Sequence, residues 1–391
     1  MAKKRIAFVN QRYGEEVVGG SETYTRKMAE LIAEDEDFEV EVLTTKAKDF
    51  VTWENYYDKN IETINGVTVR RFEVTKKRNR VVQRGAQILM HNMNIHTKNL
   101  EENRLKARGP YAPGLIEYIR ENKDSYDAFI FVTYMYYQTY FGTKEVYDKS
   151  YFIPTAHEEE PIHMNIYKEL FNNVKGIVYL TEEEKRLVNG LFNNESVPSE
   201  VIGMNIDIPK QLDSYAYKLK NDITGDYLVY GGRIQENKGC KELIEYVQKY
   251  NENSDKAVKL LMFGNKELEI PEDENIKYLG FLSEEEKFEV ISGASVVCLP
   301  SQYESFSISL LEGMGCEVPA LVNGRCEVLK GHIEKSDGGK YYNDYESFAN
   351  GLKELLIPDN NKYFGERAKK YVSDNYSKEN IKDRFERFIR G

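Results

Sequence analysis

Short apolar runs rich in β-branched and aromatic residues alternate along this chain with longer amphipathic stretches. This alternation is typical of βαβ units, in which helices connect parallel strands and pack on the sheet. In the first half we predict a helix at 22–33 and a second helix from Glu182 onward, capped by Thr181. The strands predicted there lie at 5–9, 39–44, 68–72, 128–132, 151–153 and 175–179.

A second series of the same kind follows a polar stretch at 210–226, which is typical of a domain junction. Its predicted strands lie at 227–230, 259–263, 276–278, 295–299 and 320–323. Its predicted helices lie at 238–250, from Glu284 after a Ser283 cap, and at 307–314, 345–356, 362–374 and 378–390. A chain of 391 residues is longer than one core usually organises. We therefore predict an α/β fold with two open domains that face each other across a cleft.

Composition narrows the class of protein. The net charge of −11 argues against general affinity for nucleic acid, whose phosphates would repel this chain. No apolar stretch approaches the roughly 18 to 20 residues that cross a bilayer. The four cysteines form no CxxC pair and have no metal-ligand spacing, so we expect structural thiols in a reducing cytoplasm.

One segment, from Lys76 to Arg108, opposes the acidic trend with nine Lys or Arg residues against two acids. One interpretation is a solvated insertion of helix and loop. The other is a surface that binds an anionic acceptor or an anionic membrane face, because apolar residues are interleaved with the cations.

Candidate chemistry lies at predicted strand ends, because parallel sheets bind ligands at the carboxyl ends of their strands. The first such segment contains Gly19, Gly20 and Ser21. Paired glycines let a backbone approach a bulky anion, and Ser21 can cap the next helix. The segment matches neither the dinucleotide fingerprint nor the P-loop, and an ordinary tight turn is the alternative.

The second segment ends a predicted strand with Gly231 and Gly232 and continues to Arg233 and Lys238 at a helix start. A guanidinium binds two phosphate oxygens at once, and an ammonium adds a compact point charge. These two cations suit a diphosphate leaving group. A pair of surface cations in a polar loop is the alternative.

The third segment places Glu304 in a loop after a strand and Glu312 on the following helix. Eight positions along a helix separate them by about 10 Å. A retaining glycosidase pair needs about 5 to 5.5 Å, so we exclude that role. We interpret them as carboxylates that bind hydroxyls at two points of one extended ligand. We expect the backbone N–H groups around Ser305 to Ser307 to face the cleft.

In this order the Gly-Gly loop, Arg-x4-Lys and Glu-x7-Glu resemble glycosyltransferase family 4, the retaining enzymes of GT-B fold. The resemblance covers nearly the whole chain and includes Ala156-His157-Glu158, Gly203-Met204-Asn205-Ile206-Asp207 and Tyr376-Ser377. It implies two Rossmann-like domains. The acceptor domain would span 1–206 with a crossover helix at 375–391, and the sugar-nucleotide domain would span 207–374.

The resemblance also implies a role for each candidate residue. Arg233 and Lys238 would neutralise the departing diphosphate, Glu304 would bind the donor sugar and Glu312 the ribose. The further donor contacts would be Gly19 and Gly20 from the other domain, Gly232, Phe281 in the base-binding loop, the backbone around Ser305, Phe306 and Ser307, and His157 beside the sugar. No protein nucleophile stands out, so we expect front-face transfer with retention. Two side-chain cations would make a metal or other cofactor unnecessary.

Two acidic or histidine-containing stretches resemble metal sites. Asp35-Glu36-Asp37 matches the Asp-x-Asp pattern, but it falls between a helix and a strand, and we interpret it as solvated turn charge. His157 and His163 are six residues apart with a proline between them, so they cannot share one helix face. The sole tryptophan, Trp53, is better explained by core packing than by sugar stacking.

Three alternatives compete with a glycosyltransferase. A sugar-nucleotide 2-epimerase of similar fold would need no acceptor, and a non-catalytic sugar-nucleotide binder would need no turnover. A nicotinamide oxidoreductase is disfavoured because the dinucleotide fingerprint is absent. For the glycosyltransferase we expect a nucleoside-diphosphate sugar, a glycan or lipid-linked acceptor of cell-surface synthesis, and a cytoplasmic protein that contacts the inner membrane face through the segment from Lys76 to Arg108.

Overall fold

The computed structural model describes residues 3–391, so Met1 and Ala2 lie outside it. The chain divides into two compact units. The first comprises Met1–Met204 and Ile381–Gly391, and the second comprises Asn205–Asn380. Each unit is built around a sheet of its own.

The first unit contains an eight-stranded sheet. Its strands are β1 (Lys4–Val9), β2 (Phe38–Thr45), β3 (Ile61–Ile64), β4 (Val67–Phe72), β5 (Ala128–Val132), β6 (Ser150–Ile153), β7 (Gly176–Tyr179) and β8 (Ser199–Val201). They lie in the order β3-β4-β2-β1-β5-β6-β7-β8, and all neighbours are parallel except the antiparallel pair β3 and β4. The helices of this unit are α1 (Gly20–Ala33), α2 (Arg80–Met93), α3 (Lys98–Arg108), α4 (Pro113–Asn122), α5 (Tyr137–Thr143), α6 (Ile166–Asn173) and α7 (Glu182–Phe192).

The second unit contains a six-stranded parallel sheet in the order β11-β10-β9-β12-β13-β14. Its strands are β9 (Tyr227–Gly231), β10 (Lys259–Phe263), β11 (Ile276–Tyr278), β12 (Val296–Leu299), β13 (Ala320–Asn323) and β14 (Gly339–Tyr342). Its helices are α8 (Ser214–Lys220), α9 (Cys240–Glu252), α10 (Glu284–Ser292), α11 (Ile308–Gly315), α12 (Glu327–Ser336), α13 (Tyr345–Leu355) and α14 (Pro358–Asn375). Helix α8 lies within the polar stretch 210–226 that the sequence marks as a junction.

Both sheets have the strand order of a Rossmann fold. The order reverses between β1 and β5 in the first unit and between β9 and β12 in the second. All residues of β5, β9 and β12 are buried, as expected for parallel strands covered by helices on both faces. The predicted α/β class with two parallel-sheet Rossmann-like domains is therefore confirmed.

Local capping explains where several helices begin. Thr181 accepts a hydrogen bond from the Glu184 amide, and Ser283 forms a reciprocal capping box with Glu286. The cap predicted at Ser21 is wrong, because α1 already begins at Gly20 and its Ncap residue is Gly19. The Ser21 hydroxyl instead donates to the Glu22 carboxylate at 2.9 Å.

The last helix, α15 (Lys378–Arg390), packs on the first unit through its residues from Ile381 onward. Phe385 stacks on Phe8 of β1 with ring centres 6.1 Å apart, and Arg384 binds Glu200 at 2.9 Å. Arg390 lies 3.2 Å from both Asp35 and Asp37. Asp35, Glu36 and Asp37 lie in the turn between α1 and β2, as predicted, and Glu36 and Asp37 are exposed. The carboxylates of Asp35 and Asp37 also pair with the end of α15, which the sequence does not indicate.

The packing of Trp53 agrees with its predicted core role. Its side chain is 2% exposed and meets Tyr136 edge-to-face with ring centres 5.7 Å apart. Its indole N–H donates to the carbonyl of Arg108 at 2.8 Å, so its polar atom is satisfied. Across residues 3–391, none of the helices combines the length and apolar composition that crossing a bilayer requires.

Candidate active site

The strand reversal of the second unit brings two predicted segments together. The loop after β9 carries Gly232 and Arg233, and the loop after β12 carries Glu304. Gly239 has a positive φ of 74°, and a Cβ there would lie 2.3 Å from the carbonyl oxygen of Pro300. Only glycine allows this approach, which holds the β9 loop against the backbone that follows β12.

Lys238 and Glu304 meet at this point. The Lys238 Nζ lies 2.7 Å from the Glu304 Oε1, and both side chains are about one-fifth exposed, at 22% and 18%. The same ammonium is 3.5 Å from the carbonyl oxygen of Tyr303. A solvent-reachable ammonium on a carboxylate can exchange that partner for phosphate oxygens, which leaves Glu304 able to accept hydroxyls.

Arg233 is exposed to solvent, but its backbone carbonyl is held by hydrogen bonds. Its carbonyl accepts a 2.7 Å hydrogen bond from the Tyr230 hydroxyl, and the Cys240 thiol lies 3.8 Å from the same oxygen. The Gly232 amide donates to the Phe263 carbonyl at 3.1 Å, so it ties the loop to β10. These contacts anchor the base of the loop.

Glu312 is buried on α11 and pairs with a different lysine. Its Oε1 lies 2.8 Å from the Nζ of Lys287, which also lies 3.0 Å from Glu284. Burial alone would lower the pKa of Lys287, but the charges of Glu312 and Glu284 outweigh it and raise that pKa. The two predicted hydroxyl-binding carboxylates thus have separate cationic partners.

The segment from Ser305 to Ser307 leads into α11. Ser307 is the Ncap residue with a left-handed φ of 67°, and its side chain makes no capping hydrogen bond. Buried His332 approaches the Phe306 carbonyl with its Nε2 at 2.9 Å and the Tyr371 hydroxyl with its Nδ1 at 3.1 Å. Helix α11 follows β12 along the chain, and the N–H groups at a helix N-terminus favour anions.

Phe281 follows Gly280 in the loop that leads to α10. Its ring is 67% exposed, and the Gly280 carbonyl accepts a 2.9 Å hydrogen bond from Gly264 at the end of β10. An exposed aromatic ring beside a strand end can stack on a planar base. The same loop and helix supply Lys287, the partner of Glu312.

In the first unit, the loop with Gly19 and Gly20 follows β1. Gly19 has an extended φ of 165°, yet a Cβ there would lie 2.3 Å from the Glu22 carboxylate. Buried Glu22 pairs with Arg12 at 2.5 Å and accepts from Gln11 at 2.9 Å. A Cβ on Gly20 would meet nothing within 4 Å, so only Gly19 lies in a crowded position, against the side chains of Glu22 and Arg12.

His157 follows β6 in the first unit. Its Nε2 is 3.6 Å from the Glu159 carboxylate, which accepts a 2.8 Å hydrogen bond from Tyr134 after β5. Beneath it the buried carboxylate of Glu184 accepts the Ala156 amide at 2.5 Å, and burial raises the pKa of Glu184 to about 8. His163 pairs with Glu158 at 2.6 Å. Among residues 3–391, no three His, Cys, Asp or Glu side chains gather in a way that could hold a metal ion.

Several supporting residues were missed by sequence reasoning. Lys287, His332 and Asn323 each contact a predicted segment from another element; Asn323, for example, donates to the Pro300 carbonyl at 2.9 Å. Such contacts join positions 20 to 30 residues apart and leave no local motif.

A family model of known proteins matches only the second of the two units. Residues 215–371 match the family model described as glycosyl transferases group 1. This range lies within the second unit and contains Arg233, Lys238, Glu304 and Glu312.

Two curated proteins are also similar. An uncharacterised glycosyltransferase of Methanocaldococcus jannaschii is 28% identical over 167 residues, which are 39% of this chain and 42% of that protein. The α-1,3/1,6-mannosyltransferase of Rhizomucor pusillus is 22% identical over 262 residues, which are 62% of this chain and 54% of that protein. The chain thus spans about half the length of these curated relatives. Both similarities and the family model support a glycosyltransferase.

Solved structures share the fold along the whole chain. Sucrose-phosphate synthase from Thermosynechococcus elongatus has a TM-score of 0.73 at 13% identity and covers 99% of this chain and 98% of its own. Anabaena HepE, solved in complex with UDP and glucose, has a TM-score of 0.69 at 13% identity and covers 99% of both chains. At this identity the likeness shows the fold alone.

Proposed function

We propose that this chain is a retaining glycosyltransferase of family 4 that moves a hexose from a nucleoside-diphosphate sugar to an acceptor. The observation that carries the proposal is the 2.7 Å contact of Lys238 with Glu304 at the strand reversal of the second unit. This contact lies within the range that matches group 1 glycosyl transferases. It joins a cation suited to a diphosphate with a carboxylate suited to sugar hydroxyls.

The proposed chemistry follows from where charge develops. Departure of the nucleoside diphosphate builds negative charge, which Arg233 and Lys238 would stabilise without a metal ion. Glu304 would bind sugar hydroxyls once Lys238 turns to the phosphates, and Glu312 would bind the ribose beside Phe281. The leaving phosphate would accept the acceptor proton as the new bond forms on the same face, so the anomeric configuration is retained.

The first unit would supply the acceptor side, and its Gly19, Gly20 and His157 would make further contacts with the donor. Gly19 and Gly20 form its loop after β1, and His157 stands at the end of β6, where the resemblance assigns it to the sugar. We further propose a cytoplasmic protein whose acceptor is a glycan or lipid-linked precursor of the cell surface. Its membrane contact would be made by the exposed side of α2.

A thermal-shift screen of nucleoside diphosphates and sugar nucleotides tests the donor assignment. Binding stabilises a fold by mass action, so one nucleoside diphosphate and its sugar nucleotide should raise the melting temperature of the native chain. The shift should shrink in Lys238→Ala and persist in Lys241→Ala, which removes an exposed lysine of α9. A native chain that no nucleotide stabilises contradicts the assignment.

The same sugar nucleotide separates the competing activities. Sugar transfer that depends on an added acceptor and retains configuration supports the proposal. Conversion of the sugar nucleotide without acceptor indicates a 2-epimerase, and binding without any turnover indicates a non-catalytic binder.

A further inference from the structure

Two arginines of the first unit lie close to the carboxyl ends of its strands without carboxylate partners. Arg78 follows β4, and Arg108 ends α3. The Arg108 guanidinium lies 5.9 Å from the ring centre of Tyr136, which follows β5. Arg78 donates to the carbonyl of Phe50, in the loop after β2, at 3.4 Å. Ligands of parallel sheets bind at this edge, so the location is suited to a substrate.

The charges of this arginine pair are poorly compensated. Within residues 3–391, neither guanidinium forms an ion pair, and the buried Nε of Arg78 has no hydrogen-bond partner. Burial, followed by the positive charge of Arg108, lowers the pKa of Arg78. Phe50 beside Arg78 and Tyr136 beside Arg108 pack against one buried cluster around Trp53. The two cations therefore lie near each other and repel.

The carboxylates whose charges act on these two arginines, Asp49 and Glu160, have other hydrogen-bond partners. The Oδ1 of Asp49 accepts the amides of Val51 and Thr52 at 3.0 and 2.7 Å and the Thr52 hydroxyl at 2.9 Å. Glu160 uses both oxygens to bind Arg104. The Arg108 Nη2 lies 2.8 Å from the Met135 sulfur, which is a weak acceptor.

We propose that Arg78 and Arg108 bind the phosphate group of a phosphorylated acceptor. A dianionic phosphate relieves the repulsion of two cations and accepts several guanidinium N–H groups, whereas a carboxylate carries half that charge. That the phosphate belongs to the acceptor rests on the proposed function. That an oxyanion binds here rests on the arginine pair alone.

Inorganic phosphate, with acetate as the carboxylate comparison, probes this site directly. Phosphate should raise the melting temperature of the native chain more than acetate does, and Arg78→Gln/Arg108→Gln should reduce that difference. Arg120→Gln/Arg186→Gln removes the same charge from side chains that are 57% and 69% exposed, so it should keep the native response. Should the double variant fail to fold, Arg78→Gln alone is judged by the same criteria.

An Arg233→Ala background separates this site from the donor site. The phosphate response should persist in that background and disappear when Arg78→Gln/Arg108→Gln is added. A response lost with Arg233→Ala alone, retained when Arg78→Gln/Arg108→Gln is added to that background, or absent from the native chain overturns the proposal. Failure of the native chain to bind any nucleoside diphosphate refutes the proposed function instead and leaves the phosphate result interpretable.

The source of the phosphate is resolved by two further probes. A soluble hexose phosphate represents a sugar-phosphate acceptor, and vesicles that contain phosphatidate represent a lipid phosphate. One of these two probes should bind the native chain at least tenfold more tightly than it binds the Arg78→Gln/Arg108→Gln variant, and that probe identifies the source of the phosphate. Equal affinity of both proteins for each probe contradicts the assignment.

Discussion

Glu304 and Glu312 illustrate how one motif places two carboxylates in different surroundings. Glu304 is partly exposed and pairs with Lys238, whereas Glu312 is buried and pairs with Lys287. If they bind opposite ends of the donor, their removal should affect different kinetic constants.

Glu304→Ala should mainly lower kcat, and Glu312→Ala should mainly weaken nucleotide binding. A hydrogen bond to a charged group contributes about 1.5–3 kcal/mol, so each effect should be about 10- to 100-fold. Steady-state kinetics with the sugar nucleotide, together with nucleotide titration, measures both. Glu272→Ala, an exposed position in the same unit, is the matched control. Small and equal effects of both substitutions would remove the assigned roles.

The residues that the sequence reveals in this site are those next to strand ends. Arg233, Lys238 and Glu304 follow β9 and β12, so their type and position are legible from the local pattern. The contacts that support the site are not legible from the local pattern, because Lys287 and His332 lie on other elements of the fold. Ser21 shows a second limit, since a nearby Glu22 competes for the hydroxyl that would otherwise cap the helix.

Helix α2 divides the segment from Lys76 to Arg108 into an inner and an outer side. Ala86 and Met90 are buried, while Val81 and Ile88 are 82% and 47% exposed. Val81, Arg84 and Ile88 share one face because they are three and seven residues apart. An exposed apolar face with a cation is typical of helices that lie on anionic membranes.

Val81→Ser/Ile88→Ser should weaken binding to vesicles that contain anionic lipid. Full burial of an aliphatic side chain contributes about 1.5–3 kcal/mol, so partial insertion of two should change partitioning about tenfold. Vesicle co-sedimentation measures the change, and higher salt should weaken native binding further. Ile357→Ser, at a 51% exposed position of the second unit, is the control. Native protein that never sediments with anionic vesicles contradicts membrane contact through α2.

On helix α15, the carboxyl of Glu386 lies close to Asp35 in the turn between α1 and β2, and its pKa is shifted. Burial and then the neighbouring Asp35 charge raise the pKa of Glu386 from 4.5 to about 7, despite Lys382 and Arg390 nearby. Folding therefore favours the protonated carboxyl. The stabilisation from this group is complete below about pH 4.5 and is lost as pH rises through about 7.

Glu386→Gln should remove this part of the pH dependence. Native protein should lose stability between pH 5 and 8 relative to the variant, because glutamine stays neutral throughout. Melting curves at several pH values, compared with those of Glu379→Gln on the same helix, measure the difference. Parallel pH profiles of native and Glu386→Gln proteins would rule out this contact as a pH-sensitive one.

Most strands and long helices could be predicted to within one or two residues, because buried parallel strands are continuous apolar runs. The exact bounds of β5, β10 and β13 illustrate this. Strand β14 was missed because its sequence, Gly-Lys-Tyr-Tyr, is short and half polar. Helix α14 was predicted to begin at 362 but begins at Pro358, where proline suits the first helical turn.

At the scale of the whole molecule, the chain repeats one architecture without an internal sequence repeat. Both sheets reverse their strand order at the strand that precedes a Gly-Gly loop, β1 in one unit and β9 in the other. The periodicity of apolar residues reveals the two domains, since it depends on burial rather than on residue identity. The chemistry differs, because cations and carboxylates concentrate after β9 and β12 while the first unit presents glycines, His157 and the arginine pair.

Turnover of the sugar nucleotide by Arg233→Ala and Lys238→Ala tests the central claim most directly. If these cations stabilise the leaving diphosphate, each substitution should lower kcat by about 10²- to 10³-fold, as removal of one preorganised stabilising group does. Lys241→Ala should retain native turnover. Native kcat in either Arg233→Ala or Lys238→Ala, measured at saturating sugar nucleotide, would contradict the account.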